Sequence, residues 1–256
     1  MIRVMGFKEQ AVLFSQISAW TYLKSKDFSK ILKEKGYNFE YITKNSSQAY
    51  VVWNDDDIII GCRGTEATNL ADIETDLKVI KVKLNGKEKI HAGFKESADN
   101  VWPQILAIIK KIADEKYSAK HAVWIAGHSL GAAMATILAL YAAENNIRIS
   151  GLFTFGSPRV GNRKFVKALE RSLITPYRFV NCADVVTRVP NIGYRHFGDA
   201  VYIDRKGRVS INTSSSYIIY DRFVGFFKSL LQKKIQGLDN HFINNYKEQL
   251  EKWSAS

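Results

Sequence analysis

A serine lies between two glycines in the segment Gly127-His128-Ser129-Leu130-Gly131. The four residues before the first glycine are apolar, and small residues dominate after the second. This order predicts a strand, a sharp turn that carries Ser129, and a helix. Glycines beside the turn let neighbouring chains approach closely, and the helix N-terminus directs unpaired N–H groups towards the serine oxygen. The pattern favours a serine nucleophile whose attack creates an oxyanion, with an ordinary turn as the alternative.

A nucleophilic serine of this kind needs a carboxylate that orients its base. Asp184 follows a predicted strand, Tyr177–Cys182, and we therefore expect it at the same sheet edge as Ser129. Asp199 and Asp204 lie beside a later pair of predicted strands and are the alternatives. The order serine, acid, histidine along the chain, which is typical of acyl-transfer sites on such sheets, favours Asp184.

The general base must be one of five histidines. His128 adjoins the serine and is predicted to point elsewhere, His121 precedes the far end of the nucleophile strand, and His91 lies upstream of the serine. His196 and His241 remain. His241 is favoured because it lies in a loop just before the last helix, from which a side chain can reach across the sheet edge. The other histidine is predicted to be structural.

An oxyanion site needs N–H donors aimed at the developing charge. Leu130, the residue after the nucleophile, supplies one, and a loop after an earlier strand supplies the other. The apolar strand Ile58–Arg63 ends at Gly64, so Thr65 is the predicted second donor, and a plain turn is the alternative. For residues 66–80, which follow directly, a short lid over the site and a solvated connection are equally favoured.

The elements that position these residues alternate between strand and helix. In chain order, the sequence predicts a helix over 8–24, a hairpin of Ala49–Trp53 and Ile58–Arg63, a helix with Pro103 in its first turn or at a kink, the nucleophile strand and helix, a strand over 151–155, a helix over 162–173, a strand over 177–182, and a hairpin of 200–204 and 208–211. This alternation predicts an α/β fold with a mostly parallel central sheet and helices on both faces.

The composition is that of a globular protein, with 46% hydrophobic and 24% charged residues over 256 positions. Because no linker or repeat interrupts it, a single domain over residues 1–256 is predicted. The net charge of +12 is spread along the chain. It predicts a solvated basic surface or attraction to an anionic one such as phospholipid headgroups, and no motif supports nucleic-acid binding.

The two cysteines, Cys62 and Cys182, lie in apolar strand-like segments and are predicted to be buried thiols rather than a disulfide. The N-terminal segment contains charged residues near its start and lacks a long apolar run, which is not typical of a secretory signal. No stretch of the sequence has the apolar length that a bilayer-crossing helix needs. The location is predicted to be cytoplasmic, or secreted as a mature form.

An aromatic-rich segment, Tyr217–Leu231, lies between the predicted acid and the predicted base. Its spacing indicates a packed helix. The alternative is a helix that forms a wall for an acyl chain or a surface that touches a membrane.

Taken together, these motifs resemble the class 3 lipases, the α/β-hydrolase group that includes fungal-type and plant triacylglycerol lipases. The order of the landmarks is more specific than any one alone, and they cover residues 58–250. The landmarks are Arg63–Glu66, His91–Phe94, Gly127–Ala132, Phe155–Gly161, Asn181–Val186, Tyr194–Gly198, and His241 with Tyr246.

The resemblance implies hydrolysis of carboxylic esters, with Ser129 as nucleophile, Asp184 as orienting acid, His241 as base, and Thr65 with Leu130 as oxyanion donors. It also implies that His196 is structural and that no metal or organic cofactor is needed. The family often carries a tryptophan ahead of the Asp-Leu pair that ends the segment after the oxyanion residue. Here Ile73 stands near that place, ahead of Asp76-Leu77.

The expected substrate is a lipid or other ester, with an acylglycerol favoured. A phospholipase or an aryl-acid esterase with the same triad is an alternative, as is a non-catalytic lipid-binding scaffold. A binding module has no need of all three triad residues, which favours the enzyme. The expected partners include transient contact with an anionic membrane or lipid surface, and no nucleic acid.

Overall fold

The structure is a computed structural model that describes residues 1–64, 80–84, 86–115, 121–211, 213–232 and 239–256. The helices are α1 (Phe7–Trp20), α2 (Ser25–Glu34), α3 (Ala92–Glu115), α4 (Leu130–Glu144), α5 (Arg163–Arg171), α6 (Ser215–Gln232) and α7 (Ile243–Ser254). The strands are β1 (Asn38–Lys44), β2 (Ser47–Trp53), β3 (Asp57–Cys62), β4 (Lys81–Lys83), β5 (Lys89–His91), β6 (Ala122–His128), β7 (Ile149–Phe155), β8 (Pro176–Asn181), β9 (Ala200–Ile203) and β10 (Val209–Ile211).

Eight strands form one twisted sheet in the order β1-β2-β3-β6-β7-β8-β9-β10. The five strands from β3 to β9 in that order run parallel, while β1, β2 and β10 pair antiparallel at the two sides. The register aligns Cys62 with Gly127, His128 with Phe155, and Asn181 with Ile203. Because parallel strands all end at one edge, the residues after β3, β6, β7 and β8 are brought to the same edge of the sheet.

Side chains on alternate positions of the sheet enter two different apolar clusters. In β3, Ile58 and Ile60 pack with residues of α3 and α4, while Ile59 packs on the opposite face with residues of α1 and α7. This alternation follows from the two-residue period of a strand. The predicted α/β fold, with helices on both faces of a mostly parallel sheet, is therefore confirmed, as are the central β3 and the added β9-β10 hairpin.

Several details differ from the sequence prediction. The first helix ends at Trp20, and α2 forms in a lysine-rich segment because Phe28 and Leu32, one turn apart, are buried. Strand β1 was not predicted. The first-turn position of Pro103 is wrong, because α3 already begins at Ala92, where Phe94 and Ala98 start its buried stripe.

Both cysteines are free thiols in buried positions, as predicted. Burial, together with the nearby Asp221 carboxylate, raises the pKa of the Cys182 thiol to about 12, so this thiol stays protonated at neutral pH. Over the described ranges, the helices are too short or too polar to cross a bilayer.

The buried carboxylate of Asp57 fixes the N-terminus against the sheet. Asp57 is 1% exposed and accepts hydrogen bonds from the Ile2 backbone N–H and the Trp124 indole N–H, both at 2.9 Å. We expect Asp57→Ala to lower the free energy of unfolding by about 2–6 kcal/mol, because two buried donors lose their acceptor at about 1–3 kcal/mol each. Urea unfolding measures the change.

The matched control for this substitution is Asp56→Ala, next to it in sequence. Asp56 is exposed, and within the described residues its carboxylate forms a long ion pair, at 3.9 Å, with the N-terminal amine. We expect it to change stability by less than about 1 kcal/mol. An equal effect of both substitutions would contradict the proposed anchoring role of Asp57.

Candidate active site

Ser129, His241 and Asp184 lie together at the carboxyl edge of the sheet. The Ser129 hydroxyl oxygen is 2.8 Å from Nε2 of His241, and Nδ1 of the same ring is 3.1 Å from each carboxylate oxygen of Asp184. All three side chains are buried. Ser129 follows β6, Asp184 follows β8, and His241 precedes α7. The fold therefore brings His241 together with Asp184, which is 57 positions away in sequence, and with Ser129, which is 112 positions away.

Ser129 occupies a backbone conformation that side chains rarely adopt, with φ 57° and ψ −127°. Its N–H donates to the Phe155 carbonyl at 3.0 Å, and its carbonyl accepts from Ala132 and Ala133 in the first turn of α4. These bonds connect the turn to the neighbouring strand and to the helix. They hold the strained conformation that directs the hydroxyl towards His241.

The glycines of the motif permit a close approach of three backbone segments. A Cβ at Gly127 would collide with the carbonyl of Gly131, and one at Gly131 would collide with the carbonyl of Cys62 and lie 2.8 Å from the Gly64 nitrogen. The end of β3 therefore lies directly against the turn that carries Ser129. No residue with a side chain fits at either position without moving the backbone.

The amide of Leu130 is the first of helix α4, and amides in the first turn have no acceptor within their own helix. It therefore lies beside the serine with the positive end of the helix dipole behind it. Thr65, the predicted second oxyanion donor, and most of the predicted lid at 66–80 lie outside the described residues. Gly64, the residue before Thr65, lies against Gly131.

Asp184 accepts hydrogen bonds from three donors. Its carboxylate accepts from the Tyr246 hydroxyl at 2.6 Å and from the Val186 N–H at 2.9 Å, while Thr187 donates to its carbonyl. Burial raises the pKa of the Tyr246 hydroxyl well above its ordinary value, and the charge of Asp184 raises it further, so the tyrosine stays a donor.

Sequence reasoning did not assign a contact to Tyr246, which it named only as a landmark. The signal was present in the spacing of Ile243, Tyr246 and Leu250, which are the buried residues of α7 at helical intervals. A tyrosine on such a buried stripe needs a polar partner for its hydroxyl. That partner comes from a distant part of the chain, which spacing alone does not identify.

His128 is the second residue whose contacts were missed. Its Nε2 lies 2.6 Å from the backbone carbonyl of His241, its Nδ1 lies 2.9 Å from the Tyr22 hydroxyl, and its ring centroid is 4.6 Å from that of His241. Because a carbonyl only accepts, Nε2 carries the proton, and the tyrosine donates to Nδ1 of the neutral ring. Burial lowers the pKa of His128 well below its ordinary value, and His241 lowers it further.

The other histidines have different contacts. His196 donates from Nε2 to the Thr187 carbonyl at 2.8 Å, His121 lies 3.2 Å from the Asn54 carbonyl at the far end of β6, and the ring of His91 packs against Phe94. Of the alternative acids, Asp204 accepts from Arg208 and Tyr217. In the described part of the chain, no cluster of three or more histidine, cysteine or carboxylate side chains has the arrangement of a metal site.

The chain is similar to known proteins in sequence and in fold. The family model described as lipase (class 3) matches residues 58–194, more than half of the chain. A secreted mono- and diacylglycerol lipase from Fusarium solani is 35% identical over 117 residues, which are 45% of this chain and 34% of that protein. A phospholipase A1 from Oryza sativa subsp. indica is 40% identical over 105 residues, or 40% of this chain and 27% of that protein.

Among solved structures, a Rhizomucor miehei lipase in complex with its propeptide superimposes with a TM-score of 0.69 at 25% identity. The match covers 81% of this chain and 70% of the lipase chain. The matches to the curated relatives are shorter. In these matches the chain spans about a third of the length of each relative.

Gly156 lies against Asp184 and His241. Its φ is +58°, and a Cβ there would lie 2.8 Å from a carboxylate oxygen of Asp184 and 3.0 Å from Nδ1 of His241. We expect Gly156→Ala to reduce kcat for ester hydrolysis about 100-fold, because it displaces the two groups from each other. Steady-state kinetics with a soluble ester measure the effect.

Gly36→Ala is the matched control, because Gly36 has φ +74° but nothing within 4 Å of the added Cβ. It introduces the same backbone strain without the contact and should leave kcat within about twofold. If both substitutions reduce kcat equally, the close contact of Gly156 is not the cause.

The lowered pKa values of His128 and His196 make the stability of the fold depend on pH. Burial lowers the pKa of both, with a further contribution from His241 and from Arg178 respectively, whereas in the unfolded chain both titrate near 6.5. Below that pH the unfolded state binds more protons, so the free energy of unfolding falls as pH falls, by up to about 1.4 kcal/mol per pH unit for each histidine. Above it this contribution is fully present.

Urea unfolding at a series of pH values between about 5 and 7 tests this dependence. His196→Gln removes one titrating group, so the free energy of unfolding should change less per pH unit in this variant than in the parent chain. A stability that stays constant or rises on acidification through this range would contradict the neutral state of the two buried rings.

Proposed function

The chain belongs to the class 3 lipase family, and we propose that it hydrolyses the carboxylic ester bonds of acylglycerols. In this proposal Ser129 is the nucleophile, His241 is the general base and Asp184 is the acid that orients the base. The observation that carries this proposal is the continuous hydrogen-bonded line from the Ser129 hydroxyl through the imidazole of His241 to the Asp184 carboxylate. This geometry is what activation of a serine hydroxyl requires.

In the first half-reaction, Nε2 of His241 takes the proton of the serine hydroxyl as its oxygen attacks the ester carbonyl. The imidazolium that forms is stabilised by Asp184, whose buried carboxylate is held in place by hydrogen bonds from the Tyr246 hydroxyl and the Val186 N–H. The charge on the carbonyl oxygen is stabilised by the N–H of Leu130 and, as the family resemblance implies, by that of Thr65.

Collapse of this intermediate breaks the bond to the alcohol, which leaves with the proton from His241, and an acyl group remains on the serine. His241 then takes a proton from water, the hydroxide attacks the acyl carbonyl, and the acid is released as the serine regains its proton. Each proton is given and recovered by the same imidazole. The reaction as proposed uses neither a metal nor an organic cofactor.

The names of the relatives support a glycerolipid ester as the substrate. One is named a mono- and diacylglycerol lipase and another a phospholipase A1, so both names specify a lipid as the substrate, and the first specifies an acylglycerol. The net charge of +12 also favours substrate at an anionic lipid surface, because a cationic protein accumulates there.

We expect Ser129→Ala and His241→Ala each to reduce kcat/KM for a short nitrophenyl ester by at least about 10⁴-fold, because each removes one member of the proposed triad. The chain should remain folded, since neither change removes part of an apolar cluster. Hydrolysis is followed by nitrophenol release, and folding by thermal unfolding of each variant.

His196→Ala is the matched control, because His196 is a buried histidine with no contact to the serine in the described residues. It should lose some stability and keep its turnover. Undiminished hydrolysis by Ser129→Ala would remove the serine from the mechanism. Turnover lost in His196→Ala and retained in His241→Ala, with both folded, would reverse the assignment of the base.

A further inference from the structure

The turn that carries Asp184 contains a cysteine in a backbone conformation that side chains rarely adopt. Residues 181–184 form this turn, which is closed by a hydrogen bond of 2.9 Å from the Asp184 N–H to the Asn181 carbonyl. Of the two central residues, Cys182 has φ +37° and Ala183 does not have a positive φ. This φ pattern is that of a type II′ turn, which favours glycine at the first central position. A cysteine there needs support from its surroundings.

All three polar groups of Cys182 are hydrogen-bonded. Its N–H donates to the Ile203 carbonyl at 2.7 Å, at the end of β9. Its carbonyl accepts from Nε of Arg222 at 3.0 Å, and its thiol donates to a carboxylate oxygen of Asp221 at 3.4 Å. Two of these three partners are neighbours in α6. The helix therefore contacts both the side chain and the backbone of the residue at positive φ.

Asp221 is itself fixed by further donors. It is 1% exposed, and it accepts hydrogen bonds from the Tyr202 hydroxyl and the Arg205 N–H, both at 3.0 Å. Nε of Arg205 also forms an ion pair with its second carboxylate oxygen at 3.1 Å. A buried carboxylate is stable only when donors surround it. Because these donors belong to β9 and to the loop after it, Asp221 connects α6 to the same strand that binds the Cys182 N–H.

The conformation of Cys182 determines where the Asp184 carboxylate lies. Asp184 is two residues further along the same turn, and its carboxylate oxygens are each 3.1 Å from Nδ1 of His241. In the described part of the chain, neither Asp221 nor Arg222 forms a hydrogen bond or ion pair with His241 or Ser129. An effect of these two residues on the triad must therefore act through the turn.

We propose that Asp221 and Arg222 are positioning residues for ester hydrolysis, because they hold Cys182 at positive φ and thereby place the Asp184 carboxylate against His241. This inference rests on the proposed function, since it concerns the acid of the same triad. Asp221 lies 39 positions beyond Cys182 in sequence, so the fold alone brings them together. Support of a reacting group by neighbours that do not contact the substrate is general in enzymes.

The first test is Asp221→Asn, which keeps the shape of the side chain but replaces one acceptor oxygen by an NH₂ group that only donates. We expect kcat for a soluble nitrophenyl ester to fall about tenfold while KM stays within about twofold, because the turn moves Asp184 and leaves substrate contacts intact. Thermal unfolding is measured for each variant, and kinetics are recorded well below the temperature at which it unfolds.

The matched control is Asp204→Asn. Asp204 is also buried, accepts from Arg208 and from Tyr217 of α6, and has no hydrogen bond to Cys182 among the described residues. The substitution removes the same charge and weakens the same helix, so it controls for lost stability and for electrostatics. It should keep kcat within about twofold of the parent chain. Equal losses of kcat in both variants would overturn the proposal.

Arg222 offers a pair of variants that separates its hydrogen bond from its charge. Glutamine carries its amide nitrogen as many bonds from Cα as arginine carries Nε, whereas methionine of the same length carries a methyl group there. Arg222→Met should lower kcat about fivefold, and Arg222→Gln, which retains a donor for the Cys182 carbonyl, should recover most of that loss. Equal kcat values for these two variants would contradict a role of the hydrogen bond.

A glycine at position 182 tests whether the conformation of the turn is the cause. Glycine adopts positive φ without strain and has no thiol that needs an acceptor. Cys182→Gly added to Asp221→Asn should therefore raise kcat about threefold or more above that of Asp221→Asn alone. A merely structural role of Asp221 predicts no such recovery, because the glycine restores none of the bonds that Asp221 loses.

Proton NMR gives a readout that does not depend on turnover. A proton shared between an imidazole and a carboxylate resonates far downfield, and loss of the signal in His241→Ala assigns it to the pair of His241 and Asp184. We expect this signal to weaken in folded Asp221→Asn and to persist in Asp204→Asn. If Asp221→Asn is folded and keeps both the signal and its kcat, the positioning proposal is overturned.

Failure of the hydrolase proposal gives a different result. The parent chain would then show the downfield signal and hydrolyse no ester, while weakening of the signal in Asp221→Asn would still support the positioning of Asp184 by α6. A parent chain that hydrolyses the ester, with variants of Asp221 and Arg222 that equal it in kcat and in the NMR signal, would retain the proposed function and remove the positioning role.

Discussion

The site depends on the close approach of three backbone segments at Ser129. The end of β3, the end of β6 and the start of α4 come so near each other that neither Gly127 nor Gly131 has room for a Cβ. This approach holds Ser129 at positive φ and places the first amide of α4 beside its hydroxyl. A strained turn persists only where its surroundings over-determine it, and here the parallel sheet supplies those surroundings.

The remainder of the site is supported by residues that contact Asp184 and His241. Tyr246 connects α7 to Asp184, while the neutral ring of His128 donates to the backbone of His241. Since α7 also packs on the sheet through Leu250, the positions of Asp184 and His241 depend on the same core that stabilises the fold. Catalytic geometry of this kind requires support from packed elements.

Much of this arrangement was predictable, because the motif around Ser129 and the order of Asp184 and His241 depend on local sequence and chain topology. The class 3 lipase resemblance is confirmed by the family model. The contacts of Tyr22 and Tyr246 were not predictable, since their partners lie 106 and 62 residues away. Helix α2 was not predicted, because in its lysine-rich sequence the apolar pattern depends on only a few residues, of which Phe28 and Leu32 are buried. The role of Thr65 and the single domain stay predictions.

The central claim is that a tetrahedral oxyanion forms on Ser129 beside the N-terminus of α4. A crystal structure of the chain inhibited by an alkyl phosphonate, which mimics that intermediate, tests it most directly. We expect phosphorus bonded to the Ser129 hydroxyl oxygen, with one phosphonate oxygen about 2.7–3.1 Å from the amides of Leu130 and Thr65. Phosphorus on another residue, or a phosphonate oxygen directed away from the Leu130 amide, would contradict the account.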